Sequence, residues 1–192
     1  MTARSPQTGP MPPRRSFRLP HDRVSDLPPA TSVPIRYPAM DEIQLRHAES
    51  SDVEAIAEVY LASFRATYDF PLAHSDVQVR RWLADVVLPT EEVWIAAGPG
   101  GEVVAMMALT SDMVDQLYVV PGWTGHGIGG RLLARAKAQR PCGLDLYTFL
   151  ANTGARRFYE RNGFAEVSRG DGSGNEEGQP DVRYAWRPDP KR

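Results

Sequence analysis

Cysteine and lysine are nearly missing from this chain. Cys142 is the sole cysteine, so no intrachain disulfide can staple the fold. A reducing, cytoplasmic setting is the default expectation for such usage. Cys142 sits in a Pro-Cys-Gly turn beside no evident base, a poor setting for a nucleophile. Lysine occurs twice against 20 arginines, a bias that a GC-rich genome explains and from which no mechanism is read. Long apolar runs are also missing: none approaches the roughly 18 residues that a membrane-spanning helix needs. No apolar signal-peptide segment opens the chain. Nor is there a basic excess. The net charge of −2 gives no electrostatic footprint for nucleic acid.

What is present suits one globular domain: 192 residues, 42% apolar and 24% charged. The proline is unevenly spread. Nine of the 17 prolines lie in residues 1–40, a segment with net charge of about +4 and no apolar periodicity. We expect residues 1–40 to be a disordered tail, residues 41–188 to form the domain, and 189–192 to be a second short tail. Met40, followed by a strand-like DEIQLRHAES, is an alternative start. From Asp41 onward the net charge is about −6.

The densest signal is Leu117 to Lys137, LYVVPGWTGHGIGGRLLARAK. Leu117 to Val120 read as a strand that Pro121 and Gly122 stop. Gly125, Gly127, Gly129 and Gly130 follow, and then Ile128, Leu132, Leu133 and Ala136 at helical spacing. The first N–H groups of a helix have no internal acceptor, and the macrodipole adds positive character there. Glycines let a ligand approach that main chain closely. The stretch therefore predicts a phosphate or pyrophosphate on backbone amides. Two readings of it compete. Gly125-x-Gly127-x-x-Gly130 satisfies a dinucleotide fingerprint, with Asp145 downstream. In that fold, however, the acidic residue should close a strand, and Asp145 opens one.

The second reading is a resemblance. VPGWTGHGIGGRLL resembles the acyl-CoA loop of the GNAT N-acetyltransferase superfamily, with Thr124, Gly127 and Gly129 at its defining positions and Thr124 standing where Gln or Arg is usual. ANTGARRFYERNGF resembles the later segment of that superfamily at Asn152, Ala155, Phe158, Tyr159, Glu160, Gly163 and Phe164. The resemblance covers roughly residues 43–187. It implies an α/β domain: a mixed, mostly antiparallel sheet of about seven strands with about four helices, the fourth and fifth strands splayed at the cofactor.

Taken in order, the elements fit that expectation. Ile43 to Arg46 reads as the first strand. Ser51-x-x-Glu54 is a capping-box pattern ahead of a helix with Val53, Ile56, Ala57, Tyr60, Leu61 and Phe64 on one face. Ser75-x-x-Gln78 repeats the signal ahead of Val79, Trp82, Leu83, Val86 and Val87. Glu92–Ala97 and Val103–Leu109 read as a hairpin around GPGGE. Val114–Val120 and Gly143–Leu150 are the fourth and fifth strands. Asn152 opens a helix that Asn162-Gly163 ends. Phe164–Val167 and Val182–Trp186 are the last strands, with a long loop from Arg169 to Asp181.

The resemblance also implies roles. Acetyl-CoA would be the co-substrate, without a metal. The backbone of Leu117 and Val119 would meet the pantetheine, with Tyr118 between them also in the cofactor site, and Gly125, His126, Gly127, Ile128, Gly129 and Gly130 would meet the pyrophosphate. Asn152 would cap its helix, reach the pantetheine, or both. Tyr159 would protonate the leaving thiolate, since a phenol is close to a thiol in basicity. Asp115 is the expected base, with Asp112, Asp69, Glu160 and His74 as rivals that no spacing excludes. Tyr68, Asp69, Phe70 and His74, between the first two helices, are candidate acceptor contacts. Glu176 and Glu177 are candidates to receive a cationic acceptor. The expected function is acetyl transfer to a primary amine of a small molecule or protein by direct attack, in a monomer or homodimer touching neither nucleic acid nor membrane. The rival classes are a non-catalytic acyl-CoA-binding sensor and a nucleotide-dependent oxidoreductase.

Overall fold

The computed structural model of the chain describes residues 42–188. The expected tails, 1–40 and 189–192, lie wholly outside the described residues.

Seven strands form two antiparallel sheets. The first has the order β1 (Gln44–His47), β2 (Glu92–Ala97), β3 (Val103–Leu109) and β4 (Val114–Val119). The second has β7 (Asp181–Trp186) between β5 (Leu144–Phe149) and β6 (Ala165–Gly170). The two meet at one place. Asp145 N–H donates to Asp112 C=O at 2.9 Å, and Met113 faces Asp145 in a single parallel bridge. Beyond that link β4 and β5 part. A parallel doubly wound sheet is thereby excluded, and with it the dinucleotide reading. Asp145 is not a ribose ligand. It is buried, and Arg183 and Arg187 hold it.

β2 and β3 are apolar on both faces because both faces are covered. Val93, Ile95, Met106 and Ala108 meet α1 (Val53–Thr67) and α2 (Asp76–Trp82), where Ile56, Leu61 and Val79 are buried, and Leu83 just beyond α2. Trp94, Ala96, Ala105 and Met107 meet α4 (Ile128–Gln139) through Leu132, Leu133 and Ala136. The period-2 alternation along each strand decides which layer a residue joins.

Three local details differ from the sequence expectations. The first concerns the cap of α1. The capping box forms not at Ser51 and Glu54 but between Glu49 and Asp52, around the short 3₁₀ turn (Ser50–Asp52) that leads into α1; Asp52 stands at the N-cap of α1 without a side-chain bond to it. Asp52 accepts Glu49 N–H at 2.8 Å and a two-pronged Arg46 guanidinium at 2.7 Å on each oxygen. Glu54 is left to bind Arg80 at 2.7 Å. The Ser75–Gln78 box does form.

Second, the helix over Val79–Val87 is not regular. After α2 the chain widens into a π-helical stretch (Leu83–Val87), where Leu88 N–H reaches back to Leu83 C=O, and closes with the single turn α3 (Leu88–Thr90). Pro89 is the cause: it has no N–H and crowds the carbonyl four residues back. The extra residue in the turn rotates Val86, expected in the core, to 46% exposure. Third, β6 runs to Gly170, so the loop expected over 169–181 is 171–180. β6 is exposed along its whole length, and so carries no alternation to read.

The Arg46 guanidinium is the first cause that holds the Asp52 carboxyl below the usual aspartate range. A depressed acid stabilises the fold above its unfolded pKa, and that contribution is lost as pH falls through the folded value. Asp52→Asn should therefore cost about 1 kcal/mol at neutral pH. The difference from wild type should close in an acid denaturation series as pH falls below the ordinary aspartate range.

Candidate active site

The gap between β4 and β5 opens into a cavity of about 1260 Å³. Its walls come from distant parts of the chain: α1, β4, the glycine turn, β5, the start of α5 (Thr153–Arg161) and the loop after β6.

Hydrogen-bond parity decides what β4 offers. Val120 N–H donates to Val104 C=O at 2.9 Å, so Val120 and Tyr118 direct their backbone groups at β3. Leu117 and Val119, between and before them, direct theirs into the gap. The Val119 carbonyl accepts the Ser63 hydroxyl of α1 at 2.9 Å. The sequence analysis missed Ser63. Its signal was there: a polar residue seven positions after Ile56, inside the apolar stripe and buried. The Tyr118 side chain turns the other way, with its ring 4.7 Å from that of Tyr60. Burial pushes the hydroxyls of both tyrosines upward, that of Tyr60 to about 12.

The glycine turn ends at Gly127, the N-cap of α4, with φ of 80° and ψ of −2°. That left-handed conformation strains any residue with a Cβ. Gly127 also has no side chain to occupy the first N–H groups of α4, which lack intrahelical acceptors. Gly129 is needed for closeness rather than for torsion: a Cβ there would meet the Phe158 ring at 3.3 Å. Gly125, Gly127, Ile128, Gly129 and Gly130 line the cavity, and His126 lies outside its lining. A phosphate group at this turn meets amides and a helix N-terminus. The residues present thus fit a diphosphate.

Asn152 does two things at once. Its Oδ1 accepts Ala155 N–H at 2.9 Å, capping α5, and its Nδ2 donates to the Tyr68 hydroxyl at 2.9 Å. Each polar atom makes one of the two bonds open to it, so the amide can cap α5, hold Tyr68 and still offer a second N–H. Two turns on, Tyr159 is 7% exposed. Its ring packs on Phe158, Phe164 and Tyr184, at centroid distances of 5.2, 5.8 and 6.3 Å. Its residue lines the cavity. Burial first, and the Tyr68 charge second, push its hydroxyl well above the ordinary tyrosine range, so it is protonated at working pH.

The acceptor candidates separate. Tyr68 and Glu177 line the large cavity, as does Asp115. Phe70 and His74 line a smaller neighbouring cavity of about 310 Å³ that shares Phe64 and Tyr68 with the first. Glu176 is bonded to His74 across the chain, tying the loop after β6 to the α1–α2 joint. Asp69 is exposed and lines neither cavity. Of the rival bases, Glu160 accepts the Tyr184 hydroxyl at 2.7 Å, and Asp112 is exposed on the far side of the β4–β5 link. Among the described residues, no group of three or more His, Cys, Asp or Glu side chains is placed to hold a metal ion.

Comparison with known proteins agrees with this geometry. The acetyltransferase (GNAT) domain family matches residues 89–166. A peptidyl-lysine N-acetyltransferase, YjaB of Salmonella typhimurium, is 30% identical over 127 residues, covering 66% of this chain and 86% of that protein. The solution structure of apo YjaB from Escherichia coli superposes with a TM-score of 0.64 at 24% identity, covering 75% of this chain and 97% of that one. The PaiA N-acetyltransferase of Thermoplasma acidophilum, solved in complex with coenzyme A, gives 0.60 at 20% identity, covering 76% and 99%.

Gly127→Ala should destabilise the fold by about 1 kcal/mol in chemical denaturation, the cost of a left-handed alanine. The same variant should weaken binding of pyrophosphate-bearing ligands in calorimetry. Asn152→Ala should cost about 1 kcal/mol as a lost cap.

Proposed function

The chain belongs to the GNAT acetyltransferases, and from that premise we propose that it transfers an acetyl group from acetyl-CoA to a primary amine by direct attack. One observation carries the reading. A glycine turn at a helix N-terminus, the outward backbone of β4, and a buried, protonated tyrosine converge on a single cavity.

In this proposal the amides of Ile128, Gly129 and Gly130 hold the diphosphate. Leu117 and Val119 receive the pantetheine as an added strand, and their N–H groups stabilise the negative charge that develops on the thioester oxygen. Acetyl-CoA supplies an activated acyl carbon, so no side chain has to act as nucleophile. The Tyr159 hydroxyl gives its proton to the departing sulfur. Burial raises the phenol, but it disfavours a bare thiolate in the same cavity for the same reason, so the two stay comparable in basicity. The lining carboxylates Asp115, Asp171 and Glu177 suit an acceptor that arrives as a cation. The acceptor class we infer is a primary amine of a small molecule or of a protein. The Salmonella relative is named for lysine in peptides. Among the described residues no helix is long and apolar enough to cross a membrane, and we place the reaction in the cytoplasm.

Acetyl-CoA should bind in calorimetry, and thiol release should appear with at least one member of a panel of amines, amino acids and lysine peptides. Binding without release on any acceptor would favour a sensor of acyl-CoA instead. Tyr159→Phe should keep the acetyl-CoA Kd within about twofold and lower kcat by about 10²-fold, the usual range for a lost proton donor. Unchanged turnover in that variant would remove Tyr159 from the mechanism.

A further inference from the structure

The large cavity is divided by charge. Its carboxylates, Asp115, Asp171, Glu177 and Asp181, come from β4, the loop after β6 and the start of β7. The glycine turn and α5 contribute none to the lining. Instead α5 brings Arg161 there. Arginines in this fold are mostly spent on acids: Arg46 holds Asp52, Arg140 holds Glu92, and Arg183 and Arg187 hold Asp145. Arg169, the other cation of the cavity lining, is taken by Glu166 at 2.7 Å. Among the described residues, Arg161 enters no ion pair and no side-chain hydrogen bond. It is exposed, and its charge is unspent.

The packing of α5 on the glycine turn sets where Arg161 stands. A Cβ at Gly129 would lie 3.3 Å from the Phe158 ring, so the two elements touch there. Arg161 follows Phe158 by three residues and shares its helix face one turn on. The end of α5 is tied down next to it. Asn162 N–H donates to Phe158 C=O at 3.1 Å, and Asn162 Nδ2 donates to the same carbonyl at 2.8 Å. Lys137 of α4 donates its amine to the Asn162 carbonyl, which joins the two helices. The base of the arginine is therefore held beside the glycine turn, and its long side chain carries the charge into the cavity. The glycine turn itself lends no cation to the lining: Thr124 is uncharged, and His126 lies outside it.

We propose that Arg161 reads the 3′-phosphate of coenzyme A, so that this site selects the phosphorylated cofactor over its dephospho form. The proposal rests on the acyl-transfer reading above and adds the side chain that decides which thioester donor is accepted. Coenzyme A carries three phosphoryl groups. The amides of Ile128, Gly129 and Gly130 account for two of them, joined as the diphosphate. The third is a monoester on the ribose. Its second ionisation falls just below neutrality, so it concentrates more charge than either half of the diphosphate. A planar guanidinium answers such a group with two parallel N–H···O bonds. Backbone amides alone would hold the diphosphate of many nucleotides, whereas an unspent arginine beside them favours the one with a further phosphate. The carboxylates elsewhere in the lining act in the opposite sense. They repel the phosphates and attract a cationic amine, so the charge pattern of the cavity orients both substrates.

The test uses the full chain. Calorimetry gives the Kd of coenzyme A and of dephospho-coenzyme A for wild type, Arg161→Gln and Arg161→Lys, and phosphorus NMR follows the monoester resonance in each complex. Wild type should bind coenzyme A about tenfold more tightly than the dephospho form. That preference should shrink as salt is raised. Arg161→Gln should bind the two ligands within about twofold of each other, by losing affinity for coenzyme A and keeping that for the dephospho form. Arg161→Lys should retain part of the preference, since it keeps the charge without the fork. The monoester phosphorus should shift on binding to wild type and stay near its free position with Arg161→Gln. Equal affinity of the wild type for both ligands would overturn the proposal while leaving acetyl transfer standing. An equal loss of both ligands in Arg161→Gln would also overturn it, because the arginine would then serve the diphosphate or the fold. Failure of the wild type to bind either ligand would overturn the acyl-transfer reading and this proposal together.

Discussion

A strand edge inside a protein is expensive, because its N–H and C=O groups are strong hydrogen-bonding groups that must find partners. β4 has such an edge. On one side it is fully paired with β3, and on the other it meets β5 only through the Asp112–Asp145 link. Everything around the gap follows from that arrangement. Asp145 anchors the closed end, held by two arginines so that the second sheet cannot drift. Ser63 satisfies one carbonyl at the open end. Between these points the edge is left for something that hydrogen-bonds as a strand does.

The walls of the gap are coupled to one another more than their separation in sequence suggests. Asn152 joins the α5 cap to Tyr68. Tyr68 stacks among Phe64, Phe70 and Phe149 at centroid distances of 4.7, 4.9 and 5.2 Å. The pair of His74 and Glu176 then ties the same joint to the loop after β6. A change at the turn into α5 is therefore felt at the acceptor side, through one amide and one hydroxyl.

Much of this was legible in the sequence because it is local. Strands β2 to β5, the helices α1, α4 and α5, and the glycine turn each leave a period or a cap in consecutive residues. The backbone role of Leu117 and Val119 remains an expectation, yet the parity of the ladder does aim both into the gap. What escaped was non-local or conditional. The box formed between Glu49 and Asp52 rather than Ser51 and Glu54, and Arg46, six residues before Asp52, holds that carboxylate in place. The π-helical widening needed Pro89 to be weighed against a helix already under way. Glu91 and Glu92 are neighbours in sequence with different surroundings: Arg140 pairs with Glu92, while Glu91 Oε2 is buried without a hydrogen-bond partner.

The near absence of lysine has a bearing on the chemistry of the chain's own surface. Amines and thiols are the nucleophiles that attack an activated acyl group indiscriminately. Of the two lysines, Lys191 lies outside the described residues. Lys137 spends its amine on the Asn162 carbonyl and on the faces of Trp186 and Phe164, at 4.8 and 5.2 Å. Cys142 is exposed, but it follows the C-terminal end of α4, and the twelve residues of that helix put it about 18 Å from the glycine turn. Arginine carries the positive charge instead, and a guanidinium that never loses its proton offers no lone pair for acylation. Among the described residues, few amines or thiols are thus placed where a thioester bound at the cavity would acylate them.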